Sequence, residues 1–187
     1  MSVANTFLIG GGMAYTFLKA QGIDVGSSLV EDTKLSVAKK MLERAKIKGV
    51  KFLLPVDHKI ASEFKNDAEQ KIIENDQSWQ GFMGLDIGPK TMALYAEEIA
   101  NAKNVFWNGP MGVFEVEKYS SGTIHVARAV ALATWRGATS VVGGGETIAA
   151  LRKAEVLESE ISHMSTGGGA LLEYIGGSNL PGIEILD

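Results

Sequence analysis

The sequence predicts a doubly wound α/β fold, with a Rossmann-like parallel sheet in a three-layer α/β/α arrangement. Two observations support this prediction. Short apolar or β-branched runs alternate along the chain with stretches of helical periodicity, as expected for successive strand–helix–strand units. Gly-Gly-Gly triplets at 10–12, 143–145 and 167–169 also each follow such a run and precede a helical pattern. Glycine lets the chain turn tightly, so the triplets mark strand-to-helix turns.

Five candidate strands account for the parallel sheet. Each is a short run of mostly apolar or β-branched residues that is followed by turn-forming or helical sequence. The runs span 5–9, 50–54, 104–107, 139–142 and 161–164.

Helical stretches separate most of these runs. Their apolar residues recur at three- and four-residue spacing, which is typical of a helix with one buried face. In the stretch 35–46 the opposite face is rich in Lys and Glu, which indicates a solvated surface rather than a binding patch. The predicted helices begin at Met13, Thr147 and Ala170 and also cover 35–46, 89–101 and 122–135.

The stretch from about 56 to 88 breaks this alternation. It is polar, contains the turn-forming pair Asn75-Asp76, and has only brief extended runs such as Lys71-Ile72-Ile73. We expect an irregular excursion here, containing at most a small hairpin, at the strand ends on the side of the functional site. No linker or repeat divides the chain, so residues 1–187 are predicted to form a single domain.

Composition narrows the classes of function. The chain has 187 residues, of which 45% are apolar, and these suffice for one sizeable core. A net charge of −4 and four widely spaced arginines argue against a nucleic-acid or membrane-surface role. The absence of cysteine excludes disulfides, thiolate metal ligands and thiol nucleophiles. With neither a signal peptide nor an eighteen-residue apolar stretch, the sequence predicts a soluble, cytoplasmic protein.

The glycine triplets predict a phosphate-handling site. A strand that turns through glycine into a helix leaves unpaired backbone N–H groups at the helix N-terminus, and a phosphate can approach them closely. The sequence has no G-x-x-x-x-G-K-[ST], and Gly10–Tyr15 does not complete G-x-G-x-x-G, so a P-loop and a dinucleotide dehydrogenase are disfavoured. A Gly- and Pro-containing loop follows the 104–107 run and carries Asn108 and Glu115, where open α/β sheets bind ligands.

A series of longer segments resembles the C-terminal, nucleotide-binding half of phosphoglycerate kinases. The resemblance runs from about Asn5 to Leu180-Pro181-Gly182, in the family's order. The segments are Leu8–Lys19 (LIGGGMAYTFLK), Leu54–Asp57 (LPVD), Met83–Pro89 (MGLDIGP), Val105–Glu115 (VFWNGPMGVFE), Val141–Thr147 (VVGGGET) and Ile161–Ala170 (ISHMSTGGGA).

The resemblance implies phosphoryl transfer between 1,3-bisphosphoglycerate and Mg-ADP, which gives 3-phosphoglycerate and Mg-ATP. ADP or ATP and Mg²⁺ are therefore the implied ligands. Such transfer requires little covalent chemistry from the protein, because positioning and charge stabilisation suffice. No nucleic-acid or membrane partner is implied.

The same resemblance assigns roles to individual residues. Gly10, Gly11 and Gly12, together with Gly84 and Leu85, are implied to form walls of the adenine pocket. Asn108 and Pro110 line the loop beneath the nucleotide, and Glu115 holds the ribose hydroxyls. The implied phosphate contacts are Gly144, Gly145 and Thr147, and the implied catalytic residues, which face the transferred phosphoryl group, are Gly167, Gly168 and Gly169.

Several of these residues also have a purely structural interpretation. Glu115 could be an ordinary surface carboxylate. Trp107 lies inside a strand-like run and is expected in the core rather than against a base. Asp57, at a strand end, fits a helix or turn cap as well as a site residue.

Glu146 departs from the family pattern, in which aspartate ordinarily follows the second triplet and ligates the nucleotide-bound Mg²⁺. Glutamate keeps the charge but adds a methylene, and Mg²⁺ requires tight octahedral geometry. Glu146 therefore remains a candidate ligand to both the metal and the nucleotide, directly or through water.

A larger departure is the extent of the resemblance. It lacks the family's N-terminal domain, which holds the phosphoglycerate, and the central strand that carries Gly-Gly-Ala-Lys. We therefore expect the isolated chain to bind ADP or ATP with little or no turnover, and to encounter 3-phosphoglycerate only with the missing domain. The alternative is a non-catalytic nucleotide-binding or complementation fragment. The missing strand also predicts self-association or pairing with the missing segment.

Overall fold

The computed structural model describes residues 4–65 and 67–177, so Leu180-Pro181-Gly182 lies outside the described residues. Over these ranges the chain is an α/β protein, as predicted, in which parallel sheets are accompanied by helices. The strands are β1 (Thr6–Leu8), β2 (Lys51–Leu53), β3 (Asp57–Ala61), β4 (Gln70–Glu74), β5 (Met83–Ile87), β6 (Asn104–Asn108), β7 (Thr139–Gly143) and β8 (His163–Ser165). The helices are α1 (Gly11–Ala20), α2 (Leu35–Ile47), α3 (Pro89–Ala100), α4 (Ser121–Trp135), α5 (Gly145–Lys153) and α6 (Gly168–Ile175).

The chain divides into two compact units. Unit 1 comprises Met1–Tyr95 and Met111–Val126, and unit 2 comprises Ala96–Pro110 and Ala127–Asp187. The divisions between the units thus fall within α3 and α4 and, after Pro110, near the start of the loop that follows β6. None of the helices in the described ranges is long and apolar enough to cross a bilayer.

In unit 1, β1 and β2 form a parallel pair. Thr6 is opposite Lys51 and Leu8 is opposite Leu53. The single hydroxyl hydrogen of the fully buried Tyr95 is donated mainly to the carbonyl of Ile9, at 2.6 Å, and is shared with that of Leu53, at 3.2 Å. Tyr95 therefore joins the carboxyl ends of both strands.

The stretch expected to be an irregular excursion is instead an antiparallel sheet with strand order β4-β3-β5, in which the β3–β5 register shifts between Lys59 and Ile60. Its central strand, β3, buries Asp57 and His58 as well as Ile60. Because two of these buried residues are polar, hydropathy gave no signal for the strand. The sheet packs through Ile60 against an apolar cluster that includes Tyr15 and Trp79.

Asp57 caps helix α3, which is one of the two roles that the sequence left open. Its Oδ2 accepts from the backbone N–H of Lys90 at 2.9 Å, and its Oδ1 accepts from the N–H of Thr91 at 2.8 Å and from the Thr91 hydroxyl at 2.7 Å. A Cβ at Gly88 would collide with the Asp57 carboxylate. The β3 strand thus satisfies the N-terminus of a helix that begins 32 residues later.

Unit 2 contains a parallel sheet of order β6-β7-β8. Asn104 is opposite Thr139, and Val141 is opposite His163. Trp107 is buried, as expected for a core residue, and its indole N–H donates to the carbonyl of Gly109 at 2.8 Å.

The five predicted parallel strands therefore all exist, but in the described residues they form a pair and a triplet rather than one sheet. This division agrees with the expected loss of one central strand. Helices α1, α5 and α6 begin at Gly11, Gly145 and Gly168, two residues before the predicted starts, because glycines of each triplet already belong to the first helical turn.

Candidate functional site

The three helices that follow the glycine triplets begin without a side-chain cap. Gly10, Gly144 and Gly167 occupy the N-cap positions of α1, α5 and α6, and none of these caps makes a side-chain hydrogen bond. The first N–H groups of a helix have no partner within the helix. These three helix starts therefore present backbone donors and the positive end of the helix dipole to any anion that reaches them.

In unit 2, the turns that lead into α5 and α6 lie against each other. A Cβ on Gly168 would lie 2.7 Å from the Cα of Gly144 and 2.8 Å from Nδ2 of Asn108. Gly144 itself has φ +92°, a conformation that favours glycine. Glycine is therefore required at Gly144 by the backbone and at Gly168 by the close contact between the turns.

Asn108 and Thr147 hold these turns in place. The Asn108 side chain donates to the carbonyl of Gly143 at 2.7 Å, and the hydroxyl of the buried Thr147 accepts from the N–H of Gly109 at 2.7 Å. The turn before α5 is further tied to β8, since the N–H of Gly144 donates to the carbonyl of Ser165 at 2.9 Å. Asn108, Gly144 and Thr147 thus tie the start of the loop after β6, the turn before α5 and the end of β8 into one hydrogen-bonded cluster.

The surface of this cluster is open. A Cβ at Gly145 or at Gly169 would meet no atom within 4 Å, and both glycines are exposed. Glu146 is exposed in the first turn of α5, and Pro110 is half-buried after β6. Chemically, the cluster can bind an anion through backbone N–H groups at 145–147 and 168–170.

In unit 1, the first triplet contacts the loop that follows β6. We call residues 111–120 the Glu115 loop. The N–H of Gly11, which has φ +61°, donates to the carbonyl of Met111 at 3.0 Å, and a Cβ on Gly10 would collide with the Met111 side chain. Gly12 is exposed, and a Cβ there would lie 3.1 Å from the Leu29 side chain.

Gly84 and Leu85 lie beside the same loop, on β5. A Cβ on Gly84 would collide with the Tyr15 ring, and the Leu85 side chain is buried in a small cluster with Ala61 and Tyr119. The Leu85 carbonyl accepts from the N–H of Val113 at 2.8 Å. Thus the Glu115 loop contacts Gly10, Gly11 and the main chain of Leu85, whereas the Leu85 side chain belongs to the core.

Asp86 is a residue of this region whose importance the sequence did not reveal. Its side chain is completely buried on β5, where it accepts from the N–H of Gly122 at 2.8 Å and from the Ser121 hydroxyl at 3.1 Å. Burial raises the pKa of Asp86 to about 6, although these hydrogen bonds act in the opposite direction. Gly112 and Gly122, which both approach this carboxylate, were the available sequence signal.

His58 is the other buried titratable group near the sheet. The Asn75 amide donates to the carbonyl of Pro55 at 3.0 Å, so its oxygen accepts from Nε2 of His58 at 2.8 Å. Burial lowers the pKa of His58, with the Asn75 hydrogen bond and the nearby Asp57 charge acting in the opposite direction. A neutral, fully buried imidazole is suited to packing rather than to proton transfer.

Metal-binding side chains of the described residues do not cluster. Within the described ranges, no three His, Asp or Glu side chains are grouped so that they could hold a metal ion. Glu146 is thus a single carboxylate donor, which suits an ion that arrives with most of its oxygen ligands already supplied.

Fold and site together define an α/β protein whose glycine turns leave helix N-termini open to an anionic ligand. The family model described as phosphoglycerate kinase matches residues 1–178, and the chain belongs to this family. The chain is 57% identical to the phosphoglycerate kinase of Clostridium perfringens, over 98% of this chain and 45% of that protein. It is 54% identical to that of Chloroherpeton thalassium, over 97% of this chain and 46% of that protein.

Solved structures agree with this assignment. The phosphoglycerate kinase of Coxiella burnetii matches with a TM-score of 0.91 and 45% identity, over 97% of this chain and 46% of that one. The phosphoglycerate kinase of Pyrococcus horikoshii OT3 matches with a TM-score of 0.73 and 31% identity, over 97% of this chain and 44% of that one. The chain therefore corresponds to less than half the length of these relatives.

Proposed function

We propose that the chain, acting as a single nucleotide-binding domain over 1–187, binds ADP or ATP and has little or no phosphotransferase turnover by itself. The observation that supports this proposal most strongly is the pair of contacting glycine turns in unit 2. Two helix N-termini, those of α5 and α6, begin at turns that touch through Gly144 and Gly168, and both starts are uncapped. Such a pair suits a polyphosphate better than a single phosphate or a neutral ligand.

We assign phosphate recognition to these turns. In this proposal the N–H groups of Gly145 and Thr147 face the nucleotide phosphates, and Gly144 allows close approach to them because its own N–H is bonded to Ser165. The N–H groups of Gly167, Gly168 and Gly169 face the phosphoryl group that is transferred. Charge on the equatorial oxygens would be met by fixed dipoles, which need no reorganisation during transfer. Asn108 and Pro110 shape the loop beneath the nucleotide.

Mg²⁺ would accompany the nucleotide and neutralise phosphate charge. The residues present fit this role, because Glu146 offers one exposed carboxylate in the first turn of α5, while phosphate oxygens and water supply the other ligands.

We assign base and ribose recognition to unit 1. Adenine would lie against Gly10–Gly12 and against the main chain of Gly84 and Leu85, since the Leu85 side chain is in the core. Glu115, which is exposed, would accept hydrogen bonds from the ribose hydroxyls.

Low turnover follows from the extent of the chain. The chain spans 45% of its relative from Clostridium perfringens, and the family's phosphoglycerate site is expected in the remainder. Holding two reactants together can lower a barrier by roughly 7–11 kcal/mol, and a protein that holds one of them forgoes this contribution.

Two measurements on the same preparation test the proposal. Calorimetric titration with Mg-ADP should show saturable binding, while a coupled assay with 1,3-bisphosphoglycerate and ADP should show negligible ATP formation. Adenosine, which lacks phosphates, is the matched control ligand. It should bind more weakly than Mg-ADP in the same titration. Failure to bind Mg-ADP would contradict the nucleotide assignment, and turnover within tenfold of a full-length relative would contradict the claim of inactivity.

A second candidate function is a complementation fragment, and one observation favours it. Over the described residues β1 is hydrogen-bonded to β2 alone and β6 to β7 alone, so each has a free strand edge. A free edge can accept another strand, from a second copy or from the missing Gly-Gly-Ala-Lys segment. Light scattering combined with amide exchange tests this idea. A monomer with strongly protected amides in 5–9 and 104–107 would contradict it.

A further inference from the structure

A single buried carboxylate closes the Glu115 loop. Asp86, on β5, has no solvent exposure. One of its oxygens accepts from the N–H of Gly122 at 2.8 Å and from the Ser121 hydroxyl at 3.1 Å, and the other accepts from the N–H of Ile87 at 2.9 Å. Asp86 therefore caps the N-terminus of α4, directly after the loop ends.

The start of the loop lies against the same carboxylate. A Cβ on Gly112 would collide with Oδ1 of Asp86, as would a Cβ on Gly122. Beside this contact, the N–H of Val113 donates to the carbonyl of Leu85 at 2.8 Å. Asp86 thus caps the helix at the end of the loop and packs against Gly112 at its start, where Thr123 and Leu85 accept the backbone hydrogen bonds. Glu115 lies three residues after Gly112.

The middle of the loop is held from the neighbouring strand. Lys59, on β3, donates from Nζ to the carbonyl of Lys118 at 2.8 Å and to the Ser121 hydroxyl at 3.4 Å. Phe114 and Tyr119 anchor the loop through buried rings on either side of the exposed Glu115. The loop therefore presents Glu115 from a framework that is fixed on both sides.

We propose that Asp86 is a positioning residue for nucleotide recognition: by capping α4 at the end of the Glu115 loop and packing against Gly112 at its start, it sets where the Glu115 carboxylate meets the ribose hydroxyls. The inference rests on the proposed function, because it requires that Glu115 contacts ribose. It makes Asp86 a determinant of sugar specificity although Asp86 itself is buried away from any ligand.

The ionised form of Asp86, and not merely its shape, is required. Both carboxylate oxygens accept N–H donors, from Ile87 on one side and from Gly122 on the other. An asparagine would direct its NH₂ group at one of these N–H groups, so one donor would lose its acceptor. Asp86→Asn should therefore release one end of the Glu115 loop while changing side-chain volume very little.

The test compares the affinity for ADP with that for 2′,3′-dideoxy-ADP, because the ratio isolates the ribose hydroxyls from the rest of the nucleotide. We expect the wild-type chain to favour ADP by about tenfold or more, the range of a charge-assisted hydrogen bond. Glu115→Ala and Asp86→Asn should both bring the ratio close to one. In the double variant, Asp86→Asn should cause no further loss beyond that of Glu115→Ala.

Asp57→Asn is the matched control. Asp57 is likewise a buried aspartate that caps a helix from a neighbouring strand, but it contacts Lys90 and Thr91 and not the Glu115 loop. This variant should lose stability and keep the wild-type ratio. Should either asparagine variant fail to fold, Ser121→Ala and Thr91→Val replace the pair, since each removes one hydroxyl from the corresponding cap.

The outcomes separate the two proposals. If the wild-type chain does not distinguish the two nucleotides, the ribose role of Glu115 fails and the role of Asp86 fails with it. If Glu115→Ala abolishes the distinction while Asp86→Asn, or Ser121→Ala in its place, leaves the ratio unchanged, the positioning inference alone is overturned. The control variants Asp57→Asn and Thr91→Val supply a further test. If they lower the ratio of ADP to dideoxy-ADP affinity as much as the Asp86 series does, the positioning inference is also overturned, because a general loss of stability would then explain the effect.

Discussion

Helices in this chain begin in two different ways. Helices α3 and α4 start at buried aspartates contributed by other elements, since Asp57 accepts from the N–H groups of Lys90 and Thr91, and Asp86 accepts from that of Gly122. Helices α1, α5 and α6 start at glycine without a side-chain cap. A capped start is satisfied within the protein. The uncapped starts of α5 and α6 leave donors for a ligand, whereas at α1 the N–H of Gly11 already donates to Met111.

The difference shows how a glycine should be interpreted in this fold. Gly88 and Gly122 are small so that a capping carboxylate can approach the helix N-terminus. Gly145 and Gly169 have open space where a side chain would be. The first kind of glycine serves the fold, and the second kind leaves a surface accessible to phosphate.

The largest expected effect is the loss of a capped start. Asp57→Asn should lower the free energy of unfolding by about 2–4 kcal/mol, because an amide cannot accept from both Lys90 and Thr91 and leaves a buried donor unsatisfied. Urea denaturation followed by circular dichroism measures this loss. Glu43→Gln, an exposed carboxylate on α2, is the matched control and should change stability by less than about 0.5 kcal/mol. Equal stability of both variants would show that the cap is not a stabilising feature.

The next effect concerns the uncapped starts in unit 2. Gly168→Ala should push apart the two turns, because its Cβ would lie 2.7 Å from the Gly144 Cα, and overpacking of this kind costs about 1–3 kcal/mol. Displaced turns should also bind phosphate less well. We expect ADP affinity to fall by roughly tenfold or more, because tenfold corresponds to about 1.4 kcal/mol of binding free energy. Val37→Ile adds the same methyl group on the exposed face of α2, and should leave affinity nearly unchanged. Calorimetry on both variants decides, and equal losses would contradict the close-contact explanation.

Acid should affect the antiparallel sheet of unit 1 through His58. Burial lowers the pKa of His58 below its ordinary value of 6.5, so the folded state binds fewer protons than the unfolded state at mildly acidic pH. The stability contributed by the neutral imidazole is therefore present above about pH 6.5 and is lost as the pH falls toward the folded-state pKa.

His58→Phe should accordingly reduce the loss of stability between neutral and mildly acidic pH. Denaturant titrations at several pH values measure the free energy of unfolding of both chains. His125→Gln removes an exposed histidine of α4 and is the control, expected to retain the wild-type profile. Asp86 contributes with the opposite sign, because its raised pKa of about 6 favours the folded state at lower pH. A profile unaltered by His58→Phe would exclude His58 as the acid-sensitive group.

The smallest expected effect is at the start of α5. Glu146→Asp restores the residue ordinary in the family and should strengthen the Mg²⁺ dependence of nucleotide binding by about 0.2–1 kcal/mol, the range for an exposed charge interaction. Nucleotide titrations with and without Mg²⁺ measure the difference for both chains. Glu146→Gln, which keeps the length but removes the charge, should weaken the dependence. An identical Mg²⁺ dependence in all three would show that the residue does not reach the ion.

Much of the fold could be predicted because the parallel strands and the triplets have strong local signals. The run 104–107 became β6 and the run 139–142 became β7, with differences of one residue at their ends. Helix starts were placed two residues late, because glycine was assigned to the turn although Gly11, Gly145 and Gly168 are helical. Local pattern alone does not separate a turn glycine from a first-turn glycine.

The antiparallel sheet could not be predicted, for a physical reason. Its central strand buries Asp57 and His58, whose polar atoms bond to Thr91 and Asn75 far along the chain. Such residues are compatible with a buried strand only when those partners are in place, and the partners are not local in sequence.

The ligand-facing residues of the candidate site could be predicted, whereas the buried residue that positions them could not. The resemblance supplied Glu115 and the phosphate-facing glycines, but the residues next to Asp86 in sequence gave no sign of its role. Its contacts with Ser121 and Gly122 span 35 and 36 positions, so they become visible only in three dimensions.

The placement of the tryptophans gives the chain built-in fluorescent reporters. Trp79 is buried in the apolar cluster of unit 1, Trp107 is buried in unit 2, and Trp135 is 82% exposed at the end of α4. Indole emission shifts to longer wavelength on transfer from an apolar interior to water. With Trp135→Phe in place of the exposed indole, each unit would hold one buried reporter. Removing Trp79 or Trp107 in turn would then allow the melting of each unit to be recorded separately.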